Sequence, residues 1–318
     1  MRIGFFLATE EFTPDELLAQ ARAAEEAGFH GLWVSDHYHP WNREQGQSPF
    51  VWSVLGALSQ VTSRGPVTTA VTCPTLRIHP AVMAQAAATT AVMLGDRFRF
   101  GVGSGEALNE HILGDAWPGA DVRLEMLEEA VELIRELWRG GVVHHRGVHY
   151  RVEHARLYTR PESAPPVLVS GFGPKAVDVA ARIGDGYVIT MPDADLIGRF
   201  RSNGGGDKVV QAGMKVCWAA DEAEAHRTVR RLWPNEALPG ELAQVLPTPE
   251  HFEQATELVT EEMVAEAVPC GPDLDRHVAE IQEFADAGVD ELYIHQIGGP
   301  GDDFFGTYAK EILRRFSG

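Results

Sequence analysis

Acidic and imidazole side chains directly follow several apolar, strand-like segments of the chain. Glu10 follows the first such segment, Asp36 and His37 follow the second, and Glu106 follows the fourth. Histidine and carboxyl groups exchange protons readily, because the ordinary pKa of histidine lies near working pH. Trp41, four residues after His37, is able to wall a pocket or stack on a flat ring. These residue types predict a site that moves protons, with His37 as the best candidate to carry one.

Two glycine-rich segments stand at comparable places in the sequence. Residues 101–106 (GVGSGE) end an apolar segment and permit a close backbone approach to a planar ligand. Residues 170–175 (SGFGPK) open a helix whose first amides, together with Lys175, suit an anion such as a cofactor phosphate. A tight turn with a surface lysine explains the second segment equally well. Neither segment matches a P-loop, and no G-x-G-x-x-G follows the first strand.

The sequence does not indicate a metal site or a disulfide framework. The three cysteines, Cys73, Cys217 and Cys270, are far apart and form no C-x-x-C pair. His37 and His39 have no third ligand nearby. The chain opens on a strand rather than on a signal peptide, and we expect a cytoplasmic protein.

The formal charge of −19 restricts the partners. A field of this sign repels phosphate backbones and anionic lipids, so we expect neither nucleic acid nor a membrane as a partner. No apolar run approaches the length of a membrane span. A small-molecule substrate is the expected partner. The rival interpretation, a non-catalytic barrel that binds or senses a ligand, is disfavoured by the ionisable residues at the strand ends.

Strand-like and helix-like segments alternate along the chain. Thr13 before Pro14 marks the start of the first helix, and Gly28 marks its end. We predict eight strands, each followed by helical sequence, at residues 3–8, 31–34, 67–72, 98–102, 167–169, 187–191, 212–218 and 292–294. Continuous apolar strands suit a parallel sheet that is covered on both faces. The pattern predicts a closed (β/α)₈ TIM barrel, residues 1–318 forming one domain, with a doubly wound open sheet as the alternative.

Two segments are longer than a minimal strand–helix unit. They are residues 107–120, and residues 233–270 with a helix expected near 252–268. Connections that follow the strands of such a barrel lie on its C-terminal face, where active sites are found. We therefore expect both insertions to cover a substrate.

The candidate residues also carry a family resemblance. Residues 35–41 (SDHYHPW) and 103–110 (GSGEALNE), with Gly173-Pro174 and residues 184–186 (GDG), resemble the bacterial luciferase-like superfamily. Within it they resemble the branch of the F420-dependent glucose-6-phosphate dehydrogenases. The resemblance implies a TIM barrel, usually a homodimer, that binds coenzyme F420, an 8-hydroxy-5-deazaflavin. It implies oxidation of the anomeric hydroxyl of a sugar phosphate to the lactone, with transfer of the hydride to this ring.

Residue roles follow from the resemblance position by position. His37 matches the proposed base, Trp41 the group that steadies the alkoxide, and Glu106 the acid toward the ring. Asp36 and Glu10 match supporting carboxylates. Ala70 and Val71 match a bulge behind the ring, where a non-proline cis peptide is usual. The expected coenzyme contacts are Asp36, Ala70, Val71, Cys73, Gly105, Glu106, Asn109, Ser170, Gly173, Pro174 and Lys175.

The chain departs from the branch where a phosphate group is held. Two lysines and an arginine are expected there, but the aligned residues are Asp193, Ala243 and Ala267. A phosphate dianion is disfavoured beside Asp193 unless other cations compensate. Candidates for that role are Lys208, Lys215 and Arg276. We therefore predict a substrate other than glucose-6-phosphate, such as a non-phosphorylated sugar, another sugar phosphate that is held differently, or a secondary alcohol. The alternative function is that of an FMN-dependent luciferase-like monooxygenase.

Overall fold

Eight parallel strands close into a barrel in the computed structural model, which describes residues 1–301 and 303–316. The strands are β1 Arg2–Leu7, β2 Leu32–Val34, β3 Val67–Thr69, β4 Phe98–Val102, β5 Val143–Arg146, β6 Arg151–Ala155, β7 Val167–Ser170, β8 Gly186–Ile189, β9 Val209–Val216 and β10 Glu291–Gln296. The order around the barrel is β1-β2-β3-β4-β7-β8-β9-β10, and β10 pairs again with β1. The predicted TIM-barrel fold is confirmed.

Helices connect the strands and surround the barrel. They are α1 Pro14–Ala27, α2 Val51–Val61, α3 Pro80–Leu94, α4 Ala107–Glu110, α5 Ala120–Arg139, α6 Pro174–Ile183, α7 Ala194–Phe200, α8 Glu222–Leu232, α9 Leu242–Val245, α10 Pro249–Ala255, α11 Glu261–Ala267, α12 Leu274–Asp286, α13 Phe304–Tyr308 and α14 Arg314–Phe316. The predicted start of α1 is confirmed, because Thr13 and Glu16 form a reciprocal capping box. Within the part of the chain that the structure describes, no helix has the length and apolar character needed to cross a membrane.

The barrel interior is filled in layers. Trp33 on β2 donates to Gln211 on β9 at 2.8 Å, and these strands are not neighbours, so both side chains point inward. Arg99 on β4 reaches Glu291 on β10 in the same way, at 2.7 Å. Side chains alternate along a strand, so Tyr293 and His295 on β10, and Lys215 on β9, also face inward. The parallel strands of the barrel all end at the same face. His295 and Lys215 lie near the ends of their strands, so their side chains point to the C-terminal mouth.

Three elements differ from the sequence-based expectations. The antiparallel hairpin of β5 and β6 lies outside the barrel and was not predicted. The helix expected near 252–268 is two helices, α10 and α11, because residues 256–260 leave the helical path between them. Residues 203–207, a glycine-rich run that local composition favours as a loop, begin inside a wide helical turn, Arg201–Gly205, that continues α7. The strand bounds otherwise agree with the prediction to within about three residues, the usual uncertainty at element ends.

Candidate active site at the barrel mouth

The imidazole of His37 lies between two carboxylates. His37 Nε2 is 3.4 Å from Glu10 Oε1 and 3.8 Å from Glu106 Oε2. Glu10 is buried beside the end of β1, and its other oxygen accepts from the Ser35 hydroxyl at 2.6 Å. The structure thus brings together three residues that the sequence places at the ends of three different strands.

Asn109 fixes the orientation of this group. Its amide oxygen accepts from the backbone amides of Tyr38 and His39, at 2.8 and 3.3 Å. The amide nitrogen is therefore left to face Glu106 Oε2 and His37 Nδ1, each at 3.2 Å. His37 Nδ1 also lies 3.3 Å from the carbonyl oxygen of His39, and when Nδ1 donates to this oxygen the neutral imidazole leaves Nε2 unprotonated between the two carboxylates, as a base must be.

Asp36, which directly precedes His37, has different partners from His37. Its carboxylate accepts from the Thr72 hydroxyl at 2.8 Å and from the Arg77 guanidinium at 2.9 Å. Arg77 also lies 3.5 Å from Glu110, and all three charged side chains are nearly inaccessible to solvent. Burial raises the pKa of Glu110 to about 7, although Arg77 opposes the rise. This buried charged group supports the mouth from behind and was not predicted in full, because Arg77 lies on a loop and Glu110 on the short helix α4.

The two carboxylates that face His37 have displaced pKa values of opposite sign. Burial by itself raises the pKa of Glu10, but His37 and the Ser35 hydroxyl outweigh burial and hold this pKa below its ordinary value. Burial raises the pKa of Glu106 above its ordinary value, although His37 opposes the rise. Carboxyl groups whose surroundings separate their pKa values in this way are suited to different proton-transfer roles.

Trp41 closes one side of the mouth. Its ring centroid lies 5.1 Å from that of His37 and 5.0 Å from that of Phe252, and only 8% of Trp41 is exposed. Phe252 belongs to α10, within the 233–270 insertion. The insertion therefore packs against a predicted site residue, as expected for a segment on the C-terminal face.

The residues expected to contact a coenzyme surround the same mouth. The peptide bond between Ala70 and Val71 is cis, as the family resemblance implied. Gly105 has a φ of +84°, and a Cβ atom there would meet Cys73 Sγ at 2.6 Å, so glycine is required. Cys73 is buried, and burial raises the pKa of its thiol well above the ordinary value. Ser170 is the last residue of β7, and its side chain is also buried.

The first turn of α6 is open for an anion. Gly173 caps α6, no side chain accepts from its first amides, and a Cβ atom on Gly173 would meet nothing within 4 Å. Pro174 occupies the first helical position. Lys175 is exposed and pairs with Asp121 at 2.8 Å, so its charge is already partly compensated.

The positions expected to hold phosphate in the resembled branch contain no free cation. Asp193 caps α7 by accepting from the Leu196 amide at 2.9 Å. Of the three candidate substitutes, Lys208 donates to a backbone oxygen of α6 at 3.0 Å, and Arg276 donates to the backbone oxygen of Ala265. Lys215 pairs with Glu236 at 3.0 Å.

A second polar cluster at the mouth was not predicted as a group. Lys215 Nζ lies 4.5 Å from the ring centroid of Trp233, whose indole N–H donates to Glu11. Glu11 Oε1 also lies 2.9 Å from His295 Nε2. Glu236 completes the set through Lys215. Two features of the sequence could have indicated this cluster. They are the consecutive residues Glu10 and Glu11 and the polar residues near the ends of two otherwise apolar strands.

With this geometry in place, the comparisons with known proteins identify the family. The chain belongs to the luciferase-like monooxygenase family, whose model matches residues 1–291. It is similar to F420-dependent glucose-6-phosphate dehydrogenases of Microbacterium testaceum (strain StLB037), 36% identical over 99% of this chain and 97% of the relative, and of Nakamurella multipartita, 35% identical over 99% and 96%.

A solved structure gives the same picture. An F420-dependent secondary alcohol dehydrogenase in complex with an F420-acetone adduct has a TM-score of 0.89 to this chain. The two are 29% identical, over 97% of each. The resemblance inferred from the motifs at residues 35–41 and 103–110 is confirmed at the level of the family and of its F420-dependent branch.

Proposed function

We propose that this chain is a coenzyme F420-dependent dehydrogenase that oxidises a sugar or a secondary alcohol. The observation that carries the proposal is the placement of His37 Nε2 between Glu10 and Glu106, whose pKa values are displaced in opposite directions. The names of the similar proteins support the same chemistry, since those proteins are F420-dependent dehydrogenases. From the family resemblance we also propose a cytoplasmic homodimer.

The residues at the mouth fit a flat ring with an anionic tail. Ala70 and Val71 are half-buried apolar residues that pack on the interior cluster. The uncapped start of α6 suits a phosphate group. Ala70, Val71, Cys73, Gly105 and Asn109 would hold the ring, and Ser170, Gly173, Pro174 and Lys175 would hold the tail.

Coenzyme F420, when bound, supplies the acceptor for the hydride that leaves the carbinol carbon. The protein must also take up the hydroxyl proton as the C–O bond becomes a carbonyl. Glu10 is anionic, so the Glu10–His37 pair has room for one proton, which His37 holds at Nε2. Glu106 stays protonated to a higher pH than Glu10 and would hold the proton that the coenzyme ring needs after hydride transfer. Trp41 excludes water from one side of the mouth.

The substrate is proposed to lack a phosphate group. Asp193 stands where the resembled branch has a cation, and Lys208 and Arg276 donate to backbone oxygens. A dianion would therefore meet Asp193 without a free partner charge. The wild-type protein should oxidise a sugar or a secondary alcohol with kcat/KM at least as high as with glucose-6-phosphate.

The test is a spectroscopic assay of oxidised F420 with glucose, glucose-6-phosphate and 2-propanol. We expect the absorbance of the oxidised coenzyme to fall with one of the uncharged substrates, and His37→Ala to abolish most of this turnover while binding the coenzyme. A parallel titration with FMN distinguishes the monooxygenase alternative. The proposal would be contradicted if the protein bound FMN tightly and did not bind F420. A strong preference for the phosphate ester would also contradict it.

A further inference from the structure

Lys215 and Glu236 form an ion pair at the mouth that the proton-transfer residues do not use. Lys215 faces inward near the end of β9, and its Nζ lies 3.0 Å from Glu236 Oε1. The side chains are 17% and 26% exposed, so the pair is shielded from bulk water but open to a ligand. Among the described residues, Glu236 is the sole ion-pair partner of Lys215, and the ammonium has three hydrogens to donate.

Trp233 packs against Lys215 of this pair. Lys215 Nζ lies 4.5 Å from the centroid of the indole, and the imidazole of His295 lies 5.2 Å from it. The indole N–H donates to Glu11, which also accepts from the Gly298 amide at 2.9 Å. His295 is 1% exposed and neither of its ring nitrogens makes a hydrogen bond within the described residues, although Nε2 lies near Glu11. The wall beside the pair therefore carries a buried ring nitrogen, Nδ1 of His295, that has no hydrogen-bond partner among the described residues.

The pair belongs to the same mouth as His37. Glu11, which holds Trp233, directly follows Glu10, and Glu10 lies 3.4 Å from His37. The positive charge of Lys215 also opposes the rise in the pKa of Glu106. A molecule whose reacting hydroxyl lies at His37 can therefore extend toward Lys215 and Glu236.

We propose that Lys215 and Glu236 bind neighbouring hydroxyl groups of an uncharged, polyhydroxylated substrate, away from the carbon that is oxidised. This proposal rests on the proposed dehydrogenase function. An ammonium and a carboxylate side by side match two adjacent hydroxyls, because one hydroxyl accepts from Lys215 while the other donates to Glu236. The pair has no net charge and stands near Glu10 and Glu11, so it gives a phosphate dianion no advantage. A simple secondary alcohol has no second hydroxyl for the pair to bind.

The experiment compares Glu236→Gln with the wild-type protein on 2-propanol and on D-glucose, D-xylose, glycerol and myo-inositol. For the best polyol of the wild type, we expect kcat/KM to fall roughly ten- to a hundredfold, as for a lost hydrogen bond to a charged group. For 2-propanol, we expect a change of less than about threefold, because a single hydroxyl is held at His37. Lys215→Met should reproduce this selective loss.

Controls separate the subsite from the fold and from the chemistry. Glu224→Gln removes a similar but exposed ion pair, with Arg227 on α8, and should leave both substrates unaffected. Unchanged F420 affinity shows that each variant is folded. An equal loss for polyol and 2-propanol, no loss for either, or oxidation of 2-propanol with no polyol accepted would each overturn the subsite.

If neither class of substrate is oxidised, the proposed function fails and the subsite is tested by binding alone. Quenching of tryptophan fluorescence by glycerol or D-glucose should then occur in the F420-loaded wild type and be lost in Glu236→Ala. Equal quenching in both proteins, or none in the wild type, would overturn the subsite.

Discussion

At the scale of single residues, Glu10 and Glu106 face the same nitrogen of His37 from different surroundings. Glu10 is fully enclosed but accepts from Ser35 and faces the imidazole, and these contacts favour its anion. Glu106 is 32% exposed and has Asn109 as its hydrogen-bond partner at 3.2 Å, and burial still favours its neutral form. The two groups therefore differ in protonation over a range of pH that extends from below to above the ordinary carboxyl pKa.

A prediction for Glu106 follows from this difference. As a proton donor, Glu106 works while it is protonated, so kcat/KM for the alcohol should fall as pH rises through its elevated pKa. Glu106→Gln should lower kcat by roughly 10²–10⁴-fold, the range for general acid catalysis. The descending limb of the pH profile should disappear in this variant, while the F420 dissociation constant changes little. The measurement is a pH–rate profile of both proteins. If the variant keeps the descending limb, that limb belongs to another group. If the variant keeps full activity, Glu106 is not the proton donor.

The sequence placed most of these residues but not their partners. His37, Glu10 and Glu106 follow strands, and strands that run parallel in a barrel end at one mouth, so their convergence was predictable. Arg77 comes from a loop and Glu110 from the short helix α4, and an apolar pattern does not encode the path of either segment. The pairing of Lys175 with Asp121 was missed because it joins two helices, α6 and α5, that come from distant parts of the chain.

At the scale of elements, two glycines in inward-facing positions make room for a pair of large aromatic rings. Trp33 and Tyr293 stack inside the barrel with centroids 4.9 Å apart and an interplanar angle of 9°. A Cβ atom on Gly213 would lie 2.5 Å from the Trp33 ring, and one on Gly4 would lie 2.4 Å from the Tyr293 ring. Strands β1 and β9 therefore carry glycine where they face this stack.

Gly213→Ala should consequently destabilise the barrel. The added methyl group has to displace an indole that is stacked, buried and hydrogen-bonded to Gln211, and overpacking of this kind costs about 1–3 kcal/mol. Gly198→Ala on α7 is the matched control. A Cβ atom there meets nothing within 4 Å, so the change should stabilise α7 by about 0.5–1 kcal/mol. Urea denaturation of both variants measures the two effects. If the two variants were equally stable, the barrel interior would accommodate the added methyl group without a loss in the free energy of unfolding.

The unpredicted hairpin shows a limit of apolar patterns at this scale. Most residues of β5 and β6 are exposed or half-buried, and they include His144, His145 and two arginines. Glu129 on α5 holds the turn, accepting from three consecutive backbone amides at residues 148–150 and lying 2.9 Å from His145. A contact between a distant carboxylate and backbone amides leaves no mark in the local sequence.

At the scale of the whole molecule, the two ends of the barrel have separate tasks. The C-terminal mouth holds the candidate site, as the position rule for this fold predicts. The N-terminal end contains a buried cluster around Glu291, whose carboxylate contacts Arg2 at 2.5 Å, Arg99 at 2.7 Å and the Tyr293 hydroxyl at 2.9 Å. This cluster lies at the opposite end of β10 from His295, so changes there should affect stability rather than chemistry.

Glu291 should make the stability of the molecule depend on pH. Burial favours the neutral acid, but His30, Arg99 and Tyr293 outweigh burial and lower the pKa of Glu291 from 4.5 to about 2. A carboxylate with a lowered pKa stabilises the fold fully above the unfolded-state pKa, and this contribution is lost as pH falls from 4.5 toward 2. The amount is on the order of 3 kcal/mol, since one pKa unit corresponds to about 1.4 kcal/mol.

Glu291→Gln tests this prediction, because it keeps the shape of the side chain but leaves Arg99 and Arg2 without their buried partner. At pH 7 the variant should be less stable by roughly 3–5 kcal/mol, the usual effect of breaking a buried ion pair from one side. Below pH 4.5 its stability should decline less steeply than that of the wild type. Asp178→Asn, which removes a carboxylate from an exposed pair with Arg199, is the control and should change little. The measurement is urea denaturation from pH 7 to pH 3. If the variant and the wild type lose stability in parallel below pH 4.5, the acid sensitivity of the fold lies in carboxylates other than Glu291.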